Sequence, residues 1–200
     1  MKIFEIDGKK IRIPENLTEI TVKELIELHK AGELKGSLDD ITRLIEIFNG
    51  RIDISKAPLD TVIQISMVLS ETLFTSGNIV PYDSFTFDGK EYKVLPPEEL
   101  LVREFIDFQD MSNEPVANLP LLLAIVCQYE GEDVPDDEKG YIEFIGRKRD
   151  LFNNLDAKTA QGCLLFFSNA FTGYALNTLE YLETIPELQG KLTEIKRMME

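Results

Sequence analysis

The residue types that most often carry out chemistry are scarce in this chain of 200 residues, which has one histidine and two cysteines against 36 aspartates and glutamates. His29 has no fixed sequence relation to either cysteine, and it reads as a surface residue of a short helix rather than a general base or metal ligand. Cys127 and Cys163 sit in apolar surroundings without Cys-x-x-Cys spacing, so both are expected to be buried free thiols. There is no glycine-rich phosphate loop, nucleophile elbow, His-Glu-x-x-His or Walker-type lysine. The acids Glu132, Asp133, Asp136, Asp137 and Glu138 lack the alternate ligand positions, central glycine and twelfth-position glutamate of a calcium loop, and they read as a solvated acidic loop. These residues point away from an enzyme and imply no cofactor or metal.

Recognition is the chemistry that remains. Phe166, Phe167, Phe171 and Tyr174 have spacings compatible with helix faces, but Phe166 and Phe167 point in different directions. All four can pack inside the protein. Alternatively, one of Phe166 and Phe167 leaves the main core, and the four together with Tyr141 and Phe144 line a groove for an apolar peptide or helix. An acidic rim around such a groove would suit a chaperone or adaptor that keeps a sticky partner soluble.

The elements that must position these residues are marked by a stretch that occurs twice, Phe4 to Ile13 and Phe85 to Val94. In each, alternating apolar residues flank Asp-Gly, the strongest short-range signal for a hairpin with a type I′ turn. About ten residues after each hairpin comes a second matching run, Val22 to Leu28 and Val102 to Phe108, with apolar positions and charge signs preserved and the register slipped by one residue. Thr21 followed by Glu24 has capping-box spacing and opens a helix, about Val22 to Ala31, that should stop at Gly32. Ser37 with Asp40 is a weaker start signal for a helix ending at Asn49-Gly50, and Pro58 opens a third helix to about Phe74 with Val62, Ile65, Val68 or Leu69, and Leu73 buried.

The second copy follows the same order. Pro96 to Glu99 opens a helix ending near Met111, and Leu119 to Tyr129 forms a helix that is apolar all round and therefore central. After the acidic loop, Tyr141 to Ile145 is expected as a short strand or a helix turn. Asp156 then opens a long helix in which Gly162 and Gly173 permit close packing or a break. Beyond Pro186, Glu187 to Glu200 reads as a terminal helix, either capping the core or offered to a partner.

The expected fold is thus mostly α (α+β): a diverged tandem repeat of hairpin-plus-three-helix units at 1–80 and 81–184, with an insertion at about 131–152 and a C-terminal helix at 185–200. The units pack as one body or two. A net charge of -15 argues against a nucleic-acid-binding surface. The longest apolar run, Leu119 to Cys127, is too short to span a bilayer and contains Pro120, and the N-terminus does not resemble a signal peptide, so a cytoplasmic protein is expected.

Leu123 to Tyr129, followed after the acidic insertion by Gly162 to Asn169 and preceded by Phe105-Ile106-Asp107, resembles small proteins encoded among the tail and virion assembly genes of bacteriophages. The resemblance covers roughly residues 85 to 182. It implies a phage assembly chaperone or adaptor that binds an apolar segment of a virion or tail protein in the host cytoplasm, with no direct nucleic-acid or membrane contact; a homo-oligomer is compatible with it. A permanent virion component at the neck, tail or baseplate is the alternative it leaves open. The charge separately leaves open an acidic inhibitor that mimics nucleic acid.

Overall fold

The structure, a computed structural model, describes residues 1–31, 37–74 and 79–183, with the side chains of 73–74 and 177–183 left aside. The expected stop at Gly32, the burial of Leu73 and the terminal helix after Pro186 fall outside what is described. The described residues form seven α-helices and two small antiparallel sheets, so the fold is mostly α (α+β).

Strands β1 (Lys2–Ile6) and β2 (Lys9–Ile13) pair as a hairpin, as do β3 (Ser84–Phe87) and β4 (Lys90–Val94). Both turns place Asp-Gly in the left-handed region, at φ 50° and 74° for Asp7-Gly8 and 48° and 72° for Asp88-Gly89. A type I′ turn demands that backbone, and Asp and Gly tolerate it best. Each hairpin leads through a 3-10 turn, Leu17–Glu19 or Pro97–Glu99, into a short helix, α1 (Val22–Lys30) or α4 (Val102–Met111). The helix expected to start at Pro96 therefore begins only at Val102, because Leu100 and Leu101 are extended and separate it from the 3-10 turn.

The capping glutamate is shared between the halves. Thr21 N–H donates to Glu24 Oε2 at 2.7 Å, and Leu101 N–H donates to Glu104 Oε2 at 2.8 Å. Thr21 Oγ1 completes the first box by accepting from Glu24 N–H, and leucine has no such group to offer. Ser37 and Asp40 form a full box at the start of α2 (Leu38–Asn49).

α3 (Leu59–Phe74) buries Val62 and packs Ile65 and Leu69 into a core of Phe4, Ile6, Ile11, Ile13, Leu44 and Ile45, and Thr72 Oγ1 donates to Pro14 O at 2.8 Å. Apart from Phe4 this core is aliphatic. The second core adds aromatic rings to its aliphatic residues: Tyr92 stacks on Phe85 at 5.4 Å and meets Phe152 edge-on at 5.2 Å, while Phe108 lies against Phe167 at 4.4 Å.

α5 (Leu119–Val126) is buried on nearly every side, in keeping with its composition. It stops three residues earlier than expected. Cys127–Tyr129 forms β5 instead, pairing Tyr92 with Tyr129 and Val94 with Cys127, because the outer edge of β4 would otherwise carry unpaired backbone groups. The segment around Tyr141 is neither a strand nor a single helix turn but part of α6 (Glu138–Phe152). Asp137 caps this helix by accepting from Gly140 N–H at 2.8 Å, and Tyr141, Phe144, Ile145, Lys148 and Phe152 form its buried face. α7 (Ala157–Glu183) runs on through both glycines. At Gly162 the backbone of residues 80–82 passes so close that a Cβ would lie 2.2 Å from Tyr82 Cδ2, and Tyr82 N–H donates to Gly162 O.

The halves are joined through α1. Val22 and Ile26 belong to the second core, and Val22 and Lys23 N–H donate to Leu155 O and Asn153 O at 2.8 and 3.0 Å. Ala157 N–H returns a 2.7 Å bond to Ile20 O.

Candidate partner-binding surface

Two ring contacts join α4 to α7: Phe105 stacks on Phe171 at 5.9 Å, and Phe108 lies tilted against Phe167 at 4.4 Å. On a helix, positions 167, 171 and 174 share one face. Phe167 is fully buried, Phe171 is half-buried and Tyr174 is exposed, so this face begins in the core and ends at the surface. Phe166 is half-buried against the same core. The structure therefore brings Phe167, Phe171 and Tyr174 onto one stripe and leaves Phe166 beside it.

Tyr141 and Phe144 do not join the stripe as an open groove wall. Both are buried on the inner face of α6. The Arg103 guanidinium sits 4.3 Å from the centre of the Tyr141 ring and donates to Pro135 O and Asp136 O, which ties the acidic loop to α4. Burial, with the carboxylates of Asp107 and Glu104 nearby, pushes the Tyr141 phenol well above its ordinary value.

Asp133, Asp136, Asp137 and Glu138 are exposed, but Glu132 corrects the expectation of a wholly solvated loop. Its carboxylate accepts from Lys148 Nζ at 2.8 Å with both side chains buried, and the same ammonium donates to Cys127 O at the end of α5. A lysine there satisfies a helix-terminal carbonyl and complements the negative end of the helix dipole, and the glutamate neutralises the buried charge. Sequence reasoning overlooked this pair. The spacing of Lys148 from Tyr141, Phe144 and Ile145 on the buried face of α6 was the available signal.

Cys127 and Cys163 are free thiols, both buried. Burial and the contact with Cys163 push the Cys127 thiol well up, which favours the unreactive protonated form. His29 is exposed near the end of α1. Among the described residues no three His, Cys, Asp or Glu side chains are grouped to hold a metal, and no helix is long and apolar enough to cross a membrane. An open cleft of about 710 Å³ between α1, α2 and Asn154 is lined by Lys23, Glu27, Lys30, Arg43 and Glu46. Its charges are of both signs, and Lys30 is paired with Glu27 at 3.0 Å.

Two further patches carry exposed apolar side chains: Leu101, Val102 and Ile106 on and before α4, and Leu59, Ile63 and Met67 along α3. Sequence periodicity did not single them out, because an apolar residue at helical spacing looks the same whether or not a neighbour covers it.

No protein-family model matches this chain, and no curated protein or solved structure matches it.

Proposed function

We propose that this protein is a non-enzymatic bacteriophage assembly factor, an adaptor or chaperone that holds an apolar segment of a virion or tail protein in the host cytoplasm. The observation that carries the surface is the aromatic stripe of α7, which leaves the core between Phe167 and Tyr174. An apolar face that is rigidly founded in a core and opens at one end loses little conformational freedom when a helix or extended segment is laid on it. The class of partner rests on the resemblance of residues 85 to 182 to phage assembly proteins. The net charge of -15 supports a soluble carrier, since like-charged complexes resist aggregation while the partner is held.

The test is affinity purification of the full chain from infected cells, with mature particles analysed in parallel. A virion protein is expected to co-purify from the cells in amounts that fall at least tenfold for Tyr174→Asp, and the chain itself is expected to be missing from finished particles. Recovery of the chain in stoichiometric amounts from purified particles would identify a permanent virion component instead. Recovery of no virion protein from either source would end the assembly proposal.

A further inference from the structure

α4 carries three different surfaces around its axis. Phe105 and Phe108 share one side and meet Phe171 and Phe167 of α7. Arg103, Asp107 and Asp110 share another. There the Arg103 guanidinium donates to Pro135 O at 2.9 Å and to Asp136 O at 3.0 Å, which fastens the acidic loop alongside the helix. Between the two sides lies an open strip, with Val102 77% and Ile106 50% exposed. In the matching run of the first half, the chain itself buries the equivalent Val22 and Ile26.

The charge around this strip is one-sided. From Leu101 to Glu138 the chain has ten aspartates and glutamates and a single basic residue, Arg103, whose terminal nitrogens are already held by the two loop carbonyls. Two of the ten serve the fold: Glu104 is buried where it caps α4, and Glu132 is paired with Lys148. None of the other eight forms an ion pair with a described lysine or arginine. Asp133, Asp136, Asp137 and Glu138 are exposed on the loop that Arg103 holds against α4. Unpaired carboxylates beside an apolar surface favour a cationic occupant and repel an acidic one. A second copy, with its own charge of -15, is disfavoured on the same ground.

We propose that this face of α4 binds a cationic amphipathic helix of a partner protein, its apolar side laid on Val102 and Ile106 and its lysines and arginines facing the carboxylates of the 133–138 loop. A helix fits because Val102 and Ile106 are one turn apart and form the kind of ridge that packs into the groove of another helix. Arg103 is then a positioning residue: without its two bonds the loop loses its hold on α4, and the acids no longer flank the strip. The strip is distinct from the Phe167–Tyr174 stripe, and the chemistry of its occupant holds whether or not a virion protein supplies it.

Titration calorimetry of the full chain with a synthetic leucine–lysine helix, about four turns long with the leucines on one side, supplies the test. One peptide is expected to bind per chain, with an affinity that falls about fivefold or more between about 0.15 and 0.5 M salt. Val102→Ser/Ile106→Ser changes positions already open to solvent and should weaken binding about tenfold, with an unchanged far-ultraviolet circular dichroism spectrum. Asp133→Asn/Asp136→Asn should weaken it about fivefold and flatten the salt dependence, and Arg103→Ala should act in the same direction without removing a carboxylate. Met67→Ser, at an exposed apolar position on α3, should leave binding unchanged. Binding that survives in all these variants would reveal attraction to the net charge alone. Equal binding of a peptide with glutamate in place of lysine would reveal an apolar patch without charge selection. A chain that dimerises in sedimentation velocity unless Ile106 is replaced would place a second copy on this face. Each of these results, or no binding at all, would overturn the proposal, and each is separate from the co-purification that tests the assembly role.

Discussion

Strands β2 and β4 are the second strands of two similar hairpins, and each has an outer edge whose backbone needs partners. In the C-terminal half a third strand supplies them, with Lys93 facing Gln128 across β4 and β5. In the N-terminal half Arg12, the counterpart of Lys93, faces Ile3 of β1 on one side and meets no described strand on the other. The side chain of Asn49 takes that place: its Oδ1 accepts from Arg12 N–H at 2.7 Å and its Nδ2 donates to Arg12 O at 2.8 Å. A carboxamide has the donor and acceptor of a peptide group, so one side chain stands in for one residue of a strand. The helix that ends at Asn49 can therefore run its full length, whereas the corresponding helix in the other half gives up Cys127–Tyr129 to β5. Similar hairpins tolerate quite different surroundings as long as the backbone groups on their edges are paired.

The contrast extends to the cores. The C-terminal half holds a buried ion pair beneath rings, while the ion pairs of the N-terminal half, such as Lys56–Asp7 and Lys30–Glu27, lie at the surface. Lys148→Met should therefore have the largest effect of any single change considered, about 3–5 kcal/mol by urea denaturation, since it strands Glu132 in the interior. The double variant Lys148→Met/Glu132→Leu should recover most of that loss but stay short of wild type by about 1–3 kcal/mol, because Cys127 O remains without a donor. Removing Lys56 should change stability by no more than about 1 kcal/mol.

Ile26 and Ile106 give the next largest difference. Ile26→Ala should cost about 2–5 kcal/mol through the cavity it leaves in the second core. Ile106→Ala, measured on dilute protein, should stay within about 0.5 kcal/mol. Equal costs would mean that the exposed face of α4 is covered within the molecule.

Asn49→Ala unpairs both backbone groups of Arg12 at a site water can reach, so a loss of about 1–2 kcal/mol is expected from two modest hydrogen bonds. Asn49→Asp, which keeps the acceptor and loses the donor, should fall between alanine and wild type. Amide exchange at Arg12 would report the change locally.

The smallest effect is one of pH. Burial, followed by the nearby Glu132 and Tyr129, pushes the Tyr92 phenol up from its ordinary value of 10.0 to about 12. The unfolded chain then loses this proton at lower pH than the folded one, so stability is full below about pH 10 and declines as pH rises toward 12. Tyr92→Phe should flatten the alkaline limb of the stability profile. The N-terminal half has Ile11 at that position and contributes no such slope.

Local signals carried most of the fold. The Asp-Gly turns, the Thr21–Glu24 box and the all-apolar stretch of α5 depend on neighbours a few residues away, and their physical causes can be read from the chain alone. Cys127–Tyr129 pairs with a strand more than thirty residues earlier, and nothing within those three residues announces the pairing. Glu132 looked like its acidic neighbours because the lysine that buries it lies on the next helix. α6 is hard to read from the chain because Gly146 and charged residues split its buried positions, although Asp137 and the spacing of Tyr141, Phe144, Ile145 and Lys148 are sufficient to place it. For the aromatic residues the sequence allowed two faces and could not choose between Phe166 and Phe167. That choice depends on which side of α7 receives α4, and the Phe108–Phe167 contact decides it.

The placement of α1 also governs how the protein is made. A ribosome releases the N-terminal half first, yet Val22 and Ile26 find no cover, and the Val22 and Lys23 amides no acceptors, until residues 153 to 157 have been synthesised. Throughout that interval the nascent chain presents a short amphipathic helix with its apolar side open, and closing so long a loop is slow compared with forming the hairpin beside it. Codon choices or chaperones that alter the pace of elongation over the second half would therefore change the yield of folded protein without altering a single contact in the finished molecule.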